Sequence, residues 1–303
     1  MDYVLEVSNL EKKYSNYKAL NNLTMHIEKG SIYGLIGKNG AGKTTLIRII
    51  TGLQRPTNGT YKIYGIKYTD KKIFDMRKRI GAIIETPSIY GSMSARENLI
   101  EQSKIVGMPS FDNIDELLRI VGLENTKTKK AKYFSLGMRQ RLSIAIALCG
   151  NPDFLILDEP INGLDPQGII EIRELILNLN KKGITILISS HYLDELSKIA
   201  THYGFIDNGK IIKEISSSEL NKKMRKKIEI IVNDAKEFVK YFEKNKISYE
   251  VINNKTIHVY DKLNISKLVL DLSKNNCIVE EIHEKEETLE NYYMNLIGRG
   301  NDE

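Results

Sequence analysis

The sequence predicts an α/β protein with a mostly parallel sheet, followed by a smaller α+β domain. Short apolar segments alternate with helical patterns through most of the first 215 residues, as in a parallel sheet covered by helices. A stretch from about 88 to 150 is helical instead, which predicts a helical subdomain. The order of strands and helices then changes near residue 220. We therefore expect two domains, 1–220 and 221–303.

The composition is that of a folded globular protein. The chain has 303 residues, of which 41% are hydrophobic and 28% are charged, and this balance argues against disorder. Two cysteines favour a reduced, intracellular protein. The first residues do not resemble a secretory signal, and no apolar run is long enough for a spanning helix. The net charge of +6 is too small to indicate nucleic acid, so we expect no nucleic-acid partner.

The first domain starts from a buried strand at 32–36, a glycine-rich turn and a helix at 43–50. Further strands are predicted at 60–64, 80–84, 154–157, 185–188, 203–206 and 211–215. Helices are predicted at 95–106, 113–121, 135–149 and 167–181. Asn208 and Gly209 predict a tight hairpin turn between the last two strands.

The second domain follows a basic run at 222–227, which we interpret as a solvated boundary segment. Its predicted elements are strand 228–232, helix 234–245, strands 247–252 and 255–260, helix 264–275, strand 277–283 and helix 287–297. The order βαββαβ is the ferredoxin-like arrangement, with one further helix at the end.

Residues 37–44, GKNGAGKT, match the phosphate-binding pattern G-x-x-x-x-G-K-[ST] between a strand and a helix. Glycines let backbone amides surround phosphate oxygens, and the helix N-terminus adds positive charge there. Lys43 would reach the β- and γ-phosphates, and the Thr44 hydroxyl would bind Mg²⁺. The expected nucleotide-binding residues of this segment are Asn39, Gly40, Gly42, Lys43, Thr44 and Thr45.

The apolar segment 154–157 ends in two carboxylates, Asp158 and Glu159. The carboxyl ends of strands are where open α/β sheets bind ligands. Asp158 is suited to hold Mg²⁺, directly or through water. Glu159 would orient and deprotonate a water molecule that attacks the γ-phosphoryl group of the bound nucleotide.

Residues 134–138, FSLGM, resemble the L-S-G-G-Q signature of ABC transporter ATP-binding subunits. Ser135 and Gly137 open a helix and offer a second anion-binding surface. The resemblance implies that this surface meets the γ-phosphate bound by another subunit. Leu136 and Met138 depart from the common pattern, which puts the strength of the contact between subunits in question.

Other segments match the same family in order. Residues 162–166 resemble the D-loop, and His191 resembles the switch histidine that bonds the γ-phosphate. Tyr14 resembles the aromatic residue that stacks on adenine, with Tyr17 as its competitor. Glu85 stands where most ABC subunits have glutamine, and it is assigned to nucleotide and Mg²⁺.

Residues 80–88, IGAIIETPS, which include Glu85, and residues 134–141, FSLGMRQR, together make the chain resemble bacitracin-type and lantibiotic-immunity ATP-binding proteins. This implies an ATPase subunit that drives export of, or protection against, a peptide antibiotic. Its expected ligands are ATP and Mg²⁺. Its expected partners are a second ATP-binding subunit, taken as another copy of this chain, and a separate integral-membrane permease. The chain itself is expected at the cytoplasmic face of the bacterial membrane, as a peripheral protein. The alternative is a soluble ABC ATPase or an ATP-dependent regulatory module not coupled to transport.

Overall fold

The computed structural model describes residues 2–85, 89–224, 227–260, 264–273, 278–285 and 288–298. The chain divides into two compact units, Met1–Ser217 and Ser218–Glu303. Some predicted features lie outside the described residues. These are Thr86 and Pro87 after Glu85, part of the basic run, the start of strand 277–283 with Cys277, the start of helix 287–297 and the end of helix 264–275.

The elements of the first unit follow one another in this order: β1 (Tyr3–Tyr14), β2 (Tyr17–Glu28), β3 (Ile32–Ile36), α1 (Lys43–Ile50), β4 (Asn58–Ile63), β5 (Ile66–Lys67), α2 (Ile73–Lys78), β6 (Ile80–Ile83), α3 (Ala95–Ile105), α4 (Ile114–Ile120), α5 (Leu136–Leu148), β7 (Phe154–Asp158), α6 (Pro166–Lys181), β8 (Thr185–Ser190), α7 (Leu193–Ser197), β9 (His202–Asp207) and β10 (Lys210–Ser216). Short 3₁₀ turns at Glu124–Thr126 and Ala131–Tyr133 lead into α5. The run from α3 to α5 contains no strand among these elements, which agrees with the predicted helical segment.

The main sheet has six strands in the order β10-β9-β3-β8-β7-β6. All neighbours are parallel except β10, which pairs antiparallel with β9. Every residue of β3, β7 and β8 is buried, as expected for strands covered by helices on both faces. The carboxyl ends of β3, β7 and β8 therefore meet at one edge of the sheet, and the prediction of a mostly parallel sheet is confirmed.

A second, antiparallel sheet has the order β2-β1-β4-β5. The predicted strand at 60–64 belongs to this sheet as β4, so it is not part of the parallel one. The two long strands β1 and β2 are missing from the sequence prediction. Their pairing shifts register several times, and Asn9 and Asn22 have φ of 50° and 55°. Such bulges break the alternation by which a strand is identified in a sequence.

Glu214 joins the two sheets of the first unit. Its carboxylate accepts hydrogen bonds from the backbone N–H of His26 on β2 (2.9 Å) and from the hydroxyl of Tyr33 on β3 (2.8 Å). Burial is the main cause of a raised pKa for Tyr33, and the Glu214 charge adds to it. A Cβ on Gly204 would lie 2.1 Å from the Tyr33 hydroxyl, so this close packing requires glycine at that position.

The helical segment is ordered by caps at its helix ends. Ser94 and Glu97 form a capping box at the start of α3, and Ser135 caps α5 by accepting a hydrogen bond from the Met138 N–H. Each cap satisfies backbone donors that the helix itself leaves free.

The second unit contains, in order, most of α8 (Ser217–Lys223), then β11 (Lys227–Val232), α9 (Ala235–Lys244), β12 (Tyr249–Val251), β13 (Thr256–Val259), α10 (Ile265–Ser273), β14 (Val279–Lys285) and α11 (Leu289–Gly298). Its sheet has the order β12-β13-β11-β14, and all three pairings are antiparallel. This is the ferredoxin-like topology that the sequence predicts. Its core includes Phe238, Phe242, Ile230 and Ile257, all fully buried.

Candidate functional site

The glycine-rich segment 37–42 connects β3 to α1 at the carboxyl edge of the main sheet. Gly40 and Gly42 have φ of 83° and 110°, a region that residues with a Cβ rarely adopt. At Gly42 a Cβ would also lie 2.7 Å from the Ala19 carbonyl oxygen. The backbone of this loop therefore depends on glycine, and its amides lie beside the N-terminus of α1, where anions bind.

Lys43 is the buried cation of the loop, with only 6% of its surface exposed. Its Nζ donates a hydrogen bond to the Gly37 carbonyl oxygen at 2.6 Å and lies 3.4 Å from Oε1 of Glu159. A buried ammonium needs such oxygen partners. The phosphate-binding loop and the acidic end of β7 thus face each other across a short gap.

Asp158 ends β7 in contact with two hydroxyl groups. Its Oδ2 accepts a hydrogen bond from Thr44 Oγ1 at 2.8 Å, and its Oδ1 accepts one from Ser189 Oγ on β8. Sequence reasoning gave Ser189 no such role, although its position at the end of the neighbouring strand would have suggested it. The contact between Thr44 and Asp158 brings together two residues assigned to Mg²⁺.

Glu159 follows β7 and contacts the switch histidine. Its backbone N–H donates to both the carbonyl oxygen and the hydroxyl of Ser189, each at 3.1 Å. The backbone of Glu159 is in the left-handed conformation, with φ of 52°. Its side-chain Oε2 lies 2.8 Å from Nδ1 of His191. The structure therefore brings Lys43, Glu159 and His191, the three residues assigned to catalysis, into one chain of contacts.

An open cleft of about 250 Å³ lies against this cluster. Its lining comprises Tyr14, Tyr17, Ala19, Lys38, Asn39, Gly40, Gly42, Lys43, Thr44, Thr45 and Glu159. All the residues of the glycine-rich segment assigned to nucleotide binding are in this set. Both candidate aromatic residues line the cleft, so the choice between Tyr14 and Tyr17 stays open.

The two tyrosines are held differently. The Tyr17 hydroxyl donates to the Gly40 carbonyl oxygen at 3.1 Å, while the Tyr14 hydroxyl donates to the side chain of Gln54. Tyr14 is 40% exposed and Tyr17 is 58% exposed. Each ring therefore has free surface on which a base could stack.

Glu85 is not among the residues that line the cleft. Its Oε1 accepts a hydrogen bond at 2.7 Å from Nη2 of Arg48, in the last turn of α1. The assignment of Glu85 to nucleotide and Mg²⁺ stays a prediction, and the structure adds the arginine partner. Nothing in the motif patterns points to Arg48.

Ser135 and Gly137 lie at a second cavity, of about 450 Å³, between the start of α5 and the segment before α6. Leu136, Gly163 and Leu164 also line it, and none of the described residues lines both this cavity and the nucleotide cleft. A Cβ on Gly163, where φ is 75°, would lie 3.2 Å from Leu136. The atypical leucine of the signature thus packs against the D-loop.

A glycine-rich loop between a parallel strand and a helix, with a lysine, a hydroxyl and two carboxylates at one cleft, defines a P-loop nucleotide-binding protein. The family described as ABC transporter matches residues 20–162. Two bacitracin transport ATP-binding proteins named BcrA are similar over nearly the full length. The one from Bacillus licheniformis is 42% identical and covers 99% of each chain. The one from Enterococcus faecalis is 40% identical and covers 99% of this chain and 98% of its own. This chain therefore belongs to the ABC transporter ATP-binding proteins, a family of ATPases.

Further relatives match about seven tenths of the chain. The lantibiotic transport ATP-binding protein SrtF from Streptococcus pyogenes is 47% identical over 71% of this chain and 93% of its own. The solved structure of cbiO1 from Clostridium perfringens has a TM-score of 0.66 and 31% identity, covering 74% of this chain and 92% of its own. The dimeric bacterial ABC transporter cassette MJ0796 has a TM-score of 0.63 and 26% identity, covering 70% and 98%. The predicted fold class is thereby confirmed.

Proposed function

We propose that this chain is the ATP-hydrolysing subunit of an ABC exporter that removes a peptide antibiotic of the bacitracin or lantibiotic type. The observation that carries the substrate class is the similarity to the BcrA proteins over 99% of the chain. That similarity extends over nearly the whole chain, whereas the solved cassettes cited above cover 70–74% of it. We propose 1–220 as the ATPase domain, with a helical part at about 88–150, and 221–303 as an accessory domain.

The cleft residues support ATP binding and hydrolysis as follows. Lys43 and the loop amides bind the phosphates, and their positive charge offsets the charge that develops on the γ-phosphoryl group. The Glu159 carboxylate accepts a proton from the attacking water, and His191, 2.8 Å from that carboxylate, orients the water and the γ-phosphate. The proximity of Lys43, Glu159 and His191 in the folded chain supports their acting together on one bound nucleotide.

The oxygen pair formed by Thr44 and Asp158 fits Mg²⁺, which prefers hydroxyl, carboxylate and phosphate oxygens. Among the described residues, no group of three or more His, Cys, Asp or Glu side chains could hold a metal by itself. This agrees with a site that is completed by nucleotide phosphates and water. Bound there, Mg²⁺ would neutralise phosphate charge; Glu85 remains the proposed third protein ligand.

A second copy of the chain is proposed to complete each catalytic site. In the part of the chain that the structure describes, the nucleotide cleft and the cavity at Ser135 have separate linings, which fits a signature surface that meets the nucleotide of another chain. The similar cassette MJ0796 is dimeric. In such a pair Ser135 and Gly137 of one copy would bind the γ-phosphate held by Lys43 of the other.

A separate permease is proposed to carry the peptide across the bacterial membrane. In the part of the chain that the structure describes, no helix has the length and hydropathy of a membrane span. Leu53 and Phe74 expose 68% and 67% of their surfaces. Arg77 lies over the Phe74 ring, and its side chain lies close to Gly52, the residue before Leu53. We propose that these two exposed apolar side chains take part in docking to the permease at the cytoplasmic face.

The proposed chemistry is tested by Glu159→Gln, which keeps the shape of the side chain and removes its basicity. We expect ATP turnover to fall by about 10²- to 10⁴-fold, the usual contribution of a general base, while ATP binding persists. The matched control is Glu174→Gln, at an exposed position of α6, which should turn over ATP normally. Normal turnover in Glu159→Gln would overturn this assignment of the base.

The proposed biology is tested by purifying the tagged chain from detergent-extracted membranes of its host. We expect a multi-spanning membrane protein to come with it in fixed ratio, and loss of the chain to raise sensitivity to bacitracin or a lantibiotic. Recovery with soluble proteins alone would favour the soluble ATPase or the regulatory module. Unchanged sensitivity to both antibiotic types would reject the proposed substrate class.

A further inference from the structure

The acidic residue at the end of β6 is tied to the helix that follows the phosphate-binding loop. Glu85 Oε1 and Arg48 Nη2 are 2.7 Å apart, within the range of a charge-assisted hydrogen bond. The side chains are 58% and 36% exposed, so water and ions reach both. A pair of this kind is weak enough to exchange partners.

Arg48, the other member of the pair, lies on the same helix as Thr44. Arg48 lies four residues after Thr44, so the two side chains share one face of α1, about 6 Å apart along its axis. In the sheet, Ile83 of β6 pairs in register with Leu157 of β7. Glu85 therefore follows β6 close to the place where Asp158 ends β7.

A carboxylate in this position has two competing cationic partners. It can accept hydrogen bonds from a guanidinium, or it can offer its oxygens to a divalent cation. Glutamine at the same position is neutral, so its hydrogen bond to arginine would be much weaker than that of the glutamate carboxylate. With glutamate at this position, the ion pair with Arg48 therefore competes with Mg²⁺ for the Glu85 carboxylate.

We propose that Arg48 is a positioning residue that holds Glu85 away from the Thr44–Asp158 oxygen pair, so that Mg²⁺ binding with nucleotide must displace it. The proposal rests on the proposed function of this cleft. It assigns Arg48 a part in setting the Mg²⁺ concentration at which the chain binds nucleotide tightly.

The test is a magnesium titration of the full chain with ATP carrying a fluorescent N-methylanthraniloyl group, at fixed nucleotide. We expect Arg48→Gln to lower the Mg²⁺ midpoint by about two- to fivefold, the strength of an exposed ion pair. Arg48→Lys, which keeps the positive charge, should restore most of the wild-type midpoint. Binding is read without any turnover.

Two controls isolate the pair. Arg96→Gln removes another exposed arginine, which pairs with Asp115, and should leave the midpoint unchanged. In a Glu85→Gln background, Arg48→Gln should give no further shift, since the partner charge is already absent. If Arg48→Gln does not fold, Arg48→Met, which keeps an apolar stem of similar length, takes its place.

An unchanged or higher midpoint in the Arg48 variants would overturn the proposal, as would an equal decrease in the Glu85→Gln background. Either outcome leaves the proposed function intact, provided that the wild-type chain binds the labelled ATP. Failure of the wild-type chain to bind labelled ATP at any Mg²⁺ concentration would instead contradict the proposed function.

Discussion

Glu159 has a backbone conformation that few residues with a side chain adopt. Its φ is 52°, and the two hydrogen bonds from its amide to Ser189 stabilise this conformation. A left-handed residue costs roughly 1–2 kcal/mol. The result is a carboxylate that leaves the strand direction and lies between Lys43 and His191. Such local strain is typical of functional positions.

Lys43 gives the sharpest prediction at the scale of single residues. Lys43→Ala removes the buried ammonium that the phosphates would contact, so we expect ATP affinity to fall by about 10- to 100-fold, the range for hydrogen bonds to charged groups. Calorimetric titration with ATP and Mg²⁺ measures this. The exposed Lys71 provides the control variant Lys71→Ala, and wild-type affinity in Lys43→Ala would refute the phosphate-binding role of the loop.

The two tyrosines at the cleft can be separated by the same titration. Stacking on an aromatic face contributes on the order of 1 kcal/mol, so Tyr14→Ala should weaken ATP binding about fivefold if Tyr14 contacts adenine, as we predict. Tyr17→Ala should then have a smaller effect. The reverse order would assign adenine to Tyr17, and Tyr17→Phe would show whether its hydrogen bond to Gly40 contributes.

At the scale of elements, the capping box of α3 links the helical segment to pH. The Glu97 carboxylate accepts hydrogen bonds from the Ser94 N–H at 2.6 Å and from Lys130 Nζ at 3.0 Å. These contacts lower the pKa of Glu97 to about 2, with the backbone hydrogen bond from Ser94 as the largest cause. Because the folded pKa lies below the ordinary value of 4.5, the charged form stabilises the folded chain.

We expect this contribution to be complete above pH 4.5 and to disappear as the pH falls towards 2. Urea unfolding midpoints of the wild type and Glu97→Gln should therefore differ at neutral pH and converge on acidification. Ser94→Ala should cost about 1 kcal/mol, as for other N-caps. A difference in urea unfolding midpoint between wild type and Glu97→Gln that stays constant down to pH 2 would contradict this role of the ionised carboxylate.

Elements with an uninterrupted pattern were the ones that could be predicted from the sequence. The strand that ends at Asp158 is a continuous apolar run, and α6 repeats its apolar residues with helical spacing. By contrast, β1 and β2 carry bulges at Asn9 and Asn22, which shift buried residues away from strict alternation. The ferredoxin-like order of the second unit follows from element order alone, since that topology is a recurrent solution.

The candidate site also has a part that could be predicted from the sequence and a part that could not. The residues of local motifs, such as Lys43, Thr44 and Asp158, were predicted because their spacing carries the chemistry. The contacts of Ser189 with Asp158 and of Arg48 with Glu85 join residues that are distant in the sequence. Only the three-dimensional arrangement of neighbouring strands and α1 shows these pairs.

At the scale of the whole molecule, the separation of the nucleotide cleft from the cavity at Ser135 predicts complementation between inactive variants. Lys43→Ala removes the phosphate contact, and Ser135→Asp keeps a helix cap while placing a negative charge against the γ-phosphate. Each variant alone should lack turnover. In the mixed pair, one site combines the intact Lys43 of one copy with the intact Ser135 of the other.

We therefore expect equal mixing of the two inactive variants to restore ATP turnover, measured by phosphate release. The control is a mixture of Lys43→Ala with Glu159→Gln, in which both changes lie on the same side of the interface and no intact site can form. No recovery in the first mixture would argue that the two cavities do not meet across a pair of chains.

The two disjoint cavities also make activity depend on the supply of the chain. If each working site needs surfaces from two copies, and most copies are single, the number of working sites rises with the square of the protein concentration. A cell that makes half as much of the chain would then retain only about a quarter of its ATP-hydrolysing pairs. Protection against the antibiotic would then rise more steeply than expression, since doubling the synthesis of the chain would give about four times as many working pairs.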